Sequence, residues 1–266
     1  MPKLRVVYEP RGRAREYAAI ALNAWNGCPH RCTYCYCHSR PASRYPCADA
    51  MAAATAPREG GFLKRLERDA EQLAGDGRRV LLQFMGDPYP PVEAEAKFTR
   101  QVLEILREHG IKWDILTKGG MLATRDFELY GEGCRFGQTV CVWAEELRKQ
   151  YEPSARPLEE RIMAFTVAKD HNIETFCSIE PAWIIGEVLL VLHHLRALVD
   201  EFNIGRINEH PLGDRVDWTK FGSLLAGYLK ARPGLRYYIK RTLRPHLPAG
   251  ATWNTLGEET TPQRDP

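Results

Sequence analysis

The sequence predicts an α/β protein of parallel βαβ units, and three observations lead to that class. Apolar runs of strand length alternate along the chain with segments of helical period. Six strands, each after the first preceded by a helix, imply a parallel sheet with right-handed crossovers. Polar residues collect where strands end: Asp87, Lys118, Glu145, Glu180 and Asn208. In a parallel barrel the carboxyl ends of the strands form the working face, so the pattern gathers these five around one mouth. No G-x-G-x-x-G follows the first strand, and a barrel of this kind fits the 266 residues as a single domain.

The elements follow in order. Residues 1–16 are basic and irregular and read as an N-terminal arm. Glu16–Leu22 reads as a first strand, leading into a cysteine-rich loop. Residues 38–58 carry Pro41, Pro46 and Pro57 and show no period, so they read as a long loop with a helical turn around 48–54. Gly60–Ala74 has Phe62, Leu63, Leu66, Ala70 and Leu73 at helical spacing, stopped by Gly75-Asp76-Gly77. Arg79–Met85 is a continuous apolar run, a buried strand bounded by Gly86-Asp87-Pro88. Glu93–His109 is a helix closed by Gly110, and Lys112–Thr117 the next strand. Thr124–Tyr130 reads as a short helix with Thr124 as its N-cap. Then come a strand at Phe136–Trp143, a helix at Pro157–Asn172, a strand at Ile173–Ile179, a helix at Glu187–Phe202, a strand at Ile204–Asn208 and a helix at Asp217–Ala231. Leu235–Ile239 is a candidate last strand, with a short helical piece from Lys240. The domain therefore spans residues 17–245, and 246–266 read as a polar, flexible tail.

Composition excludes some classes. Lys and Arg number 37 against 34 Asp and Glu, a formal net charge of +3 that does not by itself argue for nucleic acid. The longest apolar stretch, Val188–Leu192, is far short of a membrane span. With no signal peptide visible, the expectation is a monomeric cytoplasmic protein.

Chemistry is concentrated in Asn26-Gly27-Cys28-Pro29-His30-Arg31-Cys32-Thr33-Tyr34-Cys35-Tyr36. Three cysteines at C-x3-C-x2-C suit an iron–sulfur cluster, in which cysteine is the usual ligand. Three thiolates leave one iron of a four-iron cluster free for a ligand that is not protein. The competing reading is zinc, with Cys37, Cys47 or His30 as fourth ligand, but no second C-x2-C or H-x3-H pair follows. Of the eight cysteines, Cys141 and Cys177 lie in apolar runs and read as strand core. Trp143 at the end of the fourth strand is a candidate stacking residue, with core packing as the default. The run Lys240-Arg241-x3-Arg244 after Tyr237-Tyr238 is a candidate phosphate grip, ranked below a solvated face.

The cysteine loop after strand one, with Tyr34 before its last cysteine, resembles the radical S-adenosylmethionine (SAM) superfamily. A narrower likeness runs through Gly86-Asp87-Pro88-Tyr89-x-Pro91-x-Glu93, Ile115-Leu116-Thr117-Lys118, Glu152-Pro153 to Glu160-Arg161 and Ser178-Ile179-Glu180-Pro181. It is similar to the branch containing spore photoproduct lyase and its uncharacterised relatives. The resemblance implies a partial (β/α)6 barrel of the TIM type. It implies a [4Fe–4S] cluster on Cys28, Cys32 and Cys35, with SAM chelated at the free iron. Reductive cleavage of SAM would give a 5′-deoxyadenosyl radical that takes hydrogen from a substrate, with electrons from a donor such as flavodoxin or ferredoxin. Gly86 backbone and Asp87 would hold the SAM amino group, and Lys118 its carboxylate. Glu145 or Glu180 would take the ribose hydroxyls, with Asn208 beside them, and Tyr34 and Tyr36 are candidate radical relays.

One departure matters. Spore photoproduct lyase has a hydrogen-donating cysteine on strand two, where this chain has Gln83-Phe84-Met85. The repair activity is therefore not carried over. The rival readings are lesion repair with another hydrogen donor, and a non-catalytic nucleic-acid binder stapled by a metal.

Overall fold

The computed structural model describes residues 4–36, 56–57 and 61–256. The helical turn expected around 48–54, Cys37 and Cys47 lie outside the described residues.

The chain runs β1 (Ile20–Leu22), β2 (Trp25–Asn26), β3 (Ala56–Pro57), α1 (Phe62–Leu73), β4 (Val80–Leu82), α2 (Glu93–Ala96) and α3 (Phe98–Glu108). It continues through β5 (Trp113–Thr117), a 3-10 helix (Gly120–Leu129), β6 (Arg135–Thr139), α4 (Glu145–Tyr151), α5 (Leu158–Asp170) and β7 (Glu174–Ala182). The last elements are α6 (Ile185–Leu195), β8 (Glu201–Arg206), α7 (Pro211–Asp214), α8 (Trp218–Lys230), β9 (Tyr237–Ile239) and a 3-10 turn at Arg244–His246. β2 and β3 pair antiparallel at the root of the cysteine loop.

The main sheet has seven strands in the order β1-β4-β5-β6-β7-β8-β9, every pair parallel. β9 is the candidate last strand, added to the six. The two end strands do not pair with each other, so the sheet is the partial barrel that the sequence predicts. Its outer face carries the main core: Ile115, Phe136, Cys177, Ile179, Phe202 and Ile204 pack under helical residues such as Leu106, Phe165, Leu192 and Leu225. Ala21, Leu81, Phe84 and Leu116 line the inner face. At the amino end the interior is plugged by charge. Arg135 donates to Asp114 at 2.8 and 2.9 Å and to Glu201 at 2.8 Å, and lies over the Phe176 ring. That leaves the carboxyl end as the open one.

Both sheet edges are covered, which blunts their tendency to pair with other chains. The N-terminal arm covers β1: Tyr8 bridges to Ala21, and Asp69 of α1 accepts the backbone N–H groups of Arg5, Val6 and Val7. On β9, Tyr238 bridges to Asn254 and Ile239 donates to the Trp253 carbonyl at 2.8 Å. The expected loose arm and the start of the expected tail are thus parts of the packed domain.

Other differences have local causes. The first strand begins only at Ile20, because Gly12–Glu16 winds into a 3-10 helix. The expected helix over Glu93–His109 breaks at Lys97, whose φ is 49°. Glu93 turns its carboxylate forward to accept the Thr99 N–H at 2.9 Å and so caps the second piece. Thr124 caps nothing: its hydroxyl donates to the Met121 carbonyl inside a 3-10 helix that starts at Gly120. The helix expected to reach Phe202 stops at Leu195, and Phe202 lies in β8. Asp200 fixes that turn by accepting the Thr175 N–H and pairing with Lys169. Among the described residues no helix is long and apolar enough to cross a membrane.

Candidate functional site

The cysteine loop leaves the carboxyl end of β1, and the ends of β4 and β5 hold its root. Asn23 accepts the N–H groups of Phe84 and Met85, both at 3.0 Å. Gln83 accepts the Trp25 N–H at 2.8 Å and donates to the Trp25 carbonyl at 3.1 Å. Further along, the Thr33 N–H donates to the Tyr151 carbonyl at 2.9 Å and the Ser154 N–H to that of His30 at 3.2 Å. The loop is thus tied to the barrel at both ends.

Asp87 is the central strut. Its Oδ1 accepts the Tyr89 N–H at 2.8 Å and the Thr117 hydroxyl. Its Oδ2 accepts the Lys118 N–H at 2.7 Å and lies 2.9 Å from His30 Nε2, itself buried inside the cysteine loop. Burial works against the charge, but His30, Thr117 and the Lys118 N–H outweigh it and hold the carboxyl down at about 2. Three hydrogen bonds and the close His30 ring engage both carboxylate oxygens, and Asp87 is only 4% exposed. The side chain expected to take an ammonium group instead ties the loop to β4 and β5.

A pH dependence follows. The folded pKa lies below the unfolded one, so the stabilisation is complete above about pH 4 and is lost as pH falls towards 2. Asp87→Asn is expected to lower the unfolding free energy of the metal-free chain by about 2 kcal/mol at pH 7. By pH 2 the gap should have largely closed. Urea unfolding at the two pH values measures it, and a gap of equal size at both contradicts the assignment.

The thiols stand in a graded field. Cys32 is pushed up to about 12, chiefly by burial, with Lys118 and Arg161 pulling down and Glu152 pushing up. Burial also raises Cys28, followed by the Asp87 charge, with smaller contributions from Cys32 and Cys35. Burial works against the charge of Lys118, but Cys32 and Glu152 outweigh it and keep its pKa above the ordinary range. Its ammonium lies 5.8 Å from the Tyr34 ring centroid and has no hydrogen-bond acceptor among the described residues. No group of three His, Cys, Asp or Glu side chains forms a ready metal cage among the described residues. The donor set nonetheless fits an iron–sulfur cluster: three soft thiols on one anchored loop, each acting electrostatically on another, beside one spare cation.

Tyr34 is fixed from below. Its hydroxyl donates to Glu152 Oε1 and lies 3.5 Å from Cys141 Sγ. Glu152 Oε2 pairs with Arg161 of α5 at 2.6 Å, each side chain 1% exposed. Arg161 also donates to the Thr139 carbonyl at the end of β6 at 2.9 Å. Burial works against the Glu152 charge, but Arg161 and Lys118 outweigh it and hold its carboxyl below the usual range. Cys141, expected as strand core, is buried just past β6 in a cluster with Cys32, Tyr34 and Trp183.

The remaining predicted residues divide. Tyr36 is 47% exposed and donates to the Phe84 carbonyl at 2.6 Å. Glu180 follows inward-facing Ser178 on β7, and its Oε2 accepts from the Tyr17 hydroxyl and pairs with Lys240 at 2.7 Å. Gly205 makes room for this carboxylate, since a Cβ there would lie 2.7 Å from it. Asn208 donates to the Arg206 carbonyl at 2.8 Å. Glu145 is engaged elsewhere: it accepts from Arg148 at 2.9 Å and lines a groove with Trp143 and the α5 residues Ile162 and Met163. Trp143 stacks on His194 of the α6 helix at 4.4 Å, away from the cysteine loop. The basic run divides, with Arg241 exposed and the other two engaged inside the domain. Lys240 is 2% exposed and lies over the Tyr17 ring, while Arg244 donates to Ile239 O and lies over Trp253. His30 and Lys240, read from the sequence as a fourth zinc ligand and part of a phosphate grip, pair instead with Asp87 and Glu180; Tyr17 and the Glu152–Arg161 pair carry no site signal of their own in the sequence.

Comparisons with known proteins agree with this fold. Residues 22–189, more than half of the chain, match the Radical SAM superfamily. An uncharacterised protein of Methanocaldococcus jannaschii is 26% identical over 229 residues, 84% of this chain and 76% of that protein. Spore photoproduct lyase complexed with dinucleoside spore photoproduct has a similar fold, with a TM-score of 0.65 at 12% identity, covering 90% of this chain and 80% of the lyase. So has SuiB of Streptococcus suis bound to S-adenosylmethionine, with a TM-score of 0.62 at 13% identity and 83% of this chain covered. This chain spans 49% of the SuiB chain. With the matched region running from the end of β1 into the α6 helix, and the three-cysteine loop at its start, the chain belongs to the radical SAM superfamily.

Proposed function

We propose that this chain is a radical SAM enzyme that uses S-adenosylmethionine to remove hydrogen from a substrate held at the carboxyl end of the barrel. The observation that carries the reading is the anchored three-thiol loop with Lys118 beside it, a cation without an acceptor among the described residues. Cys28, Cys32 and Cys35 would hold a [4Fe–4S] cluster, which with bound SAM supplies a 5′-deoxyadenosyl radical on reduction by a flavodoxin- or ferredoxin-type donor.

The chain's own groups have distinct tasks. Lys118 offers its ammonium to the SAM carboxylate. The SAM amino group falls to the backbone at Gly86, because both oxygens of the Asp87 carboxylate are engaged. Glu180 keeps Oε1 without a donor among the described residues and is 23% exposed, so it accepts a ribose or substrate hydroxyl. Asn208, at the end of the neighbouring strand, stands second to it. Tyr36 presents an exposed ring at the mouth and, with buried Tyr34, screens the cluster from water. Phe84, where spore photoproduct lyase has its thiol, packs edge-on against Tyr17 at 6.0 Å. Any hydrogen donor to the product therefore stands elsewhere than in that lyase, and lesion repair remains the rival reading only with such another donor.

The test is direct. The protein is reconstituted anaerobically with iron and sulfide, supplied with SAM and dithionite, and assayed for 5′-deoxyadenosine by chromatography. Production dependent on both SAM and reductant is expected. A fully loaded cluster that yields none contradicts the proposal.

A further inference from the structure

The Glu152–Arg161 pair is a poor device for stability alone. Two charges at 1% exposure pay a desolvation penalty that their attraction barely recovers, and apolar replacements of such pairs are often neutral or stabilising. Here the pair is not isolated in the core. Glu152 reaches the cysteine loop through the Tyr34 hydroxyl, two residues from Cys32 and adjacent to Cys35. Arg161 reaches the end of β6 through the Thr139 carbonyl. Arg148 donates to the backbone carbonyls of Glu152 and Ala155 at 2.8 and 2.9 Å, which holds the carboxylate's own segment. Two arms of this network end at the loop and at the neighbouring strand end, and the others brace residues 145–156 between them.

Cys32 packs with Tyr34 in one cluster. Tyr34 carries Glu152 at its hydroxyl, Arg161 behind that carboxylate and Lys118 5.8 Å from its ring centroid. One carboxylate and two cations therefore stand beside the Cys32 thiol with opposite effects on negative charge there. An electron added to a cluster on that thiolate is negative charge at the same place. A low-dielectric surrounding makes such fixed charges felt more strongly than in water, and charge and burial near a cluster are among the terms that set its potential.

We propose that Glu152, Arg161 and Lys118 set the reduction potential of a cluster held by the cysteine loop, with Glu152 lowering it and the two cations raising it. Tyr34 fixes the distance at which the pair acts, which makes Glu152 and Arg161 positioning residues rather than catalytic ones. The inference rests on the radical SAM reading but goes beyond it, because that reading requires only that a cluster be held and is silent on what surrounds it.

The experiment is an EPR-monitored redox titration of the reconstituted protein without SAM, comparing wild type, Glu152→Gln, Arg161→Gln, the double variant and Lys118→Gln. Glutamine keeps a hydrogen-bonding group at each position, so the loop keeps its polar contacts while the charge is lost. Glu152→Gln is expected to move the midpoint upward, Arg161→Gln downward, and the double variant back towards wild type. Lys118→Gln, which touches neither partner of the pair, is expected to move it downward. A purely structural role would lower the iron content of the variants without this pattern of signs. Shifts of one sign in both single variants, or unmoved midpoints at full iron content, overturn the proposal. If the pair variants hold no cluster, Lys118→Gln decides, and an unmoved or raised midpoint there counts against it. A wild type that takes up no cluster overturns the radical SAM reading itself, which is a separate result from a loaded cluster that ignores the charges.

Discussion

Cys32→Ala is expected to leave a folded chain that takes up little or no iron and makes no 5′-deoxyadenosine. Cys32 sits 8% exposed against Tyr34, Cys141, Val142 and Trp183, and losing one sulfur from that contact costs on the order of 1 kcal/mol. Its loss as a ligand is a different matter, because three protein thiolates already leave the cluster one ligand short, and two do not close it. The control is Cys177→Ala. That thiol is 0% exposed in β7, in the outer core with Ile179 and Phe202, and holds nothing at the mouth. Both variants should lose comparable stability in urea, while only Cys32→Ala loses iron, sulfide and the visible absorption of a cluster. Equal iron in the two would remove Cys32 from the ligand set.

The parts of the fold that the sequence showed are those whose physics is local. A strand buried on both faces must be apolar throughout, and Val80-Leu81-Leu82 at the heart of Arg79–Met85 reads that way before any neighbour is known. The cysteine loop was legible because ligand spacing is itself local. Most of the failures turn on side-chain partners rather than on periodicity. Glu93 ends one helix and starts another by reaching forward to Thr99, which no periodicity displays. Trp143 follows a strand end, as a mouth residue should, yet it finds His194 on the outer helix layer. Lys240 read as a surface cation because its partner, Glu180, is 60 residues away on another strand. Asp87 was placed at the right strand end, but its partners were not foreseen. Two of its three hydrogen-bond donors are backbone N–H groups, and backbone donors leave no trace in a sequence. Charged residues were thus located well by position and poorly by partner. The site's electrostatics are set by which charges are already satisfied, and that only the structure displays.

Gly86→Ala should break the loop where it meets the barrel. Gly86 has φ 129°, a conformation side chains rarely adopt. A Cβ there would lie 2.4 Å from the Gly27 carbonyl oxygen and 2.4 Å from Gln83 Nε2. The glutamine can swing aside, but only by giving up its hold on Trp25. The Gly27 carbonyl is backbone, and it can move only by carrying Cys28 with it. Strain and overpacking together are expected to cost about 3 kcal/mol, and the displaced Cys28 should lower cluster occupancy as well. Gly77→Ala separates the two causes. It shares a positive φ, 81°, but nothing lies within 4 Å of its Cβ, so it should cost about 1 kcal/mol and leave iron uptake at the wild-type level. Urea unfolding and iron analysis on both variants make the comparison. If Gly86→Ala loses no more stability than Gly77→Ala and binds full iron, then the contact between Gly86 and Gly27 does not hold the cysteine loop in place. Asp87 with His30, and Asn23 and Gln83 at the root, would then hold the loop's first half to the ends of β4 and β5 without it.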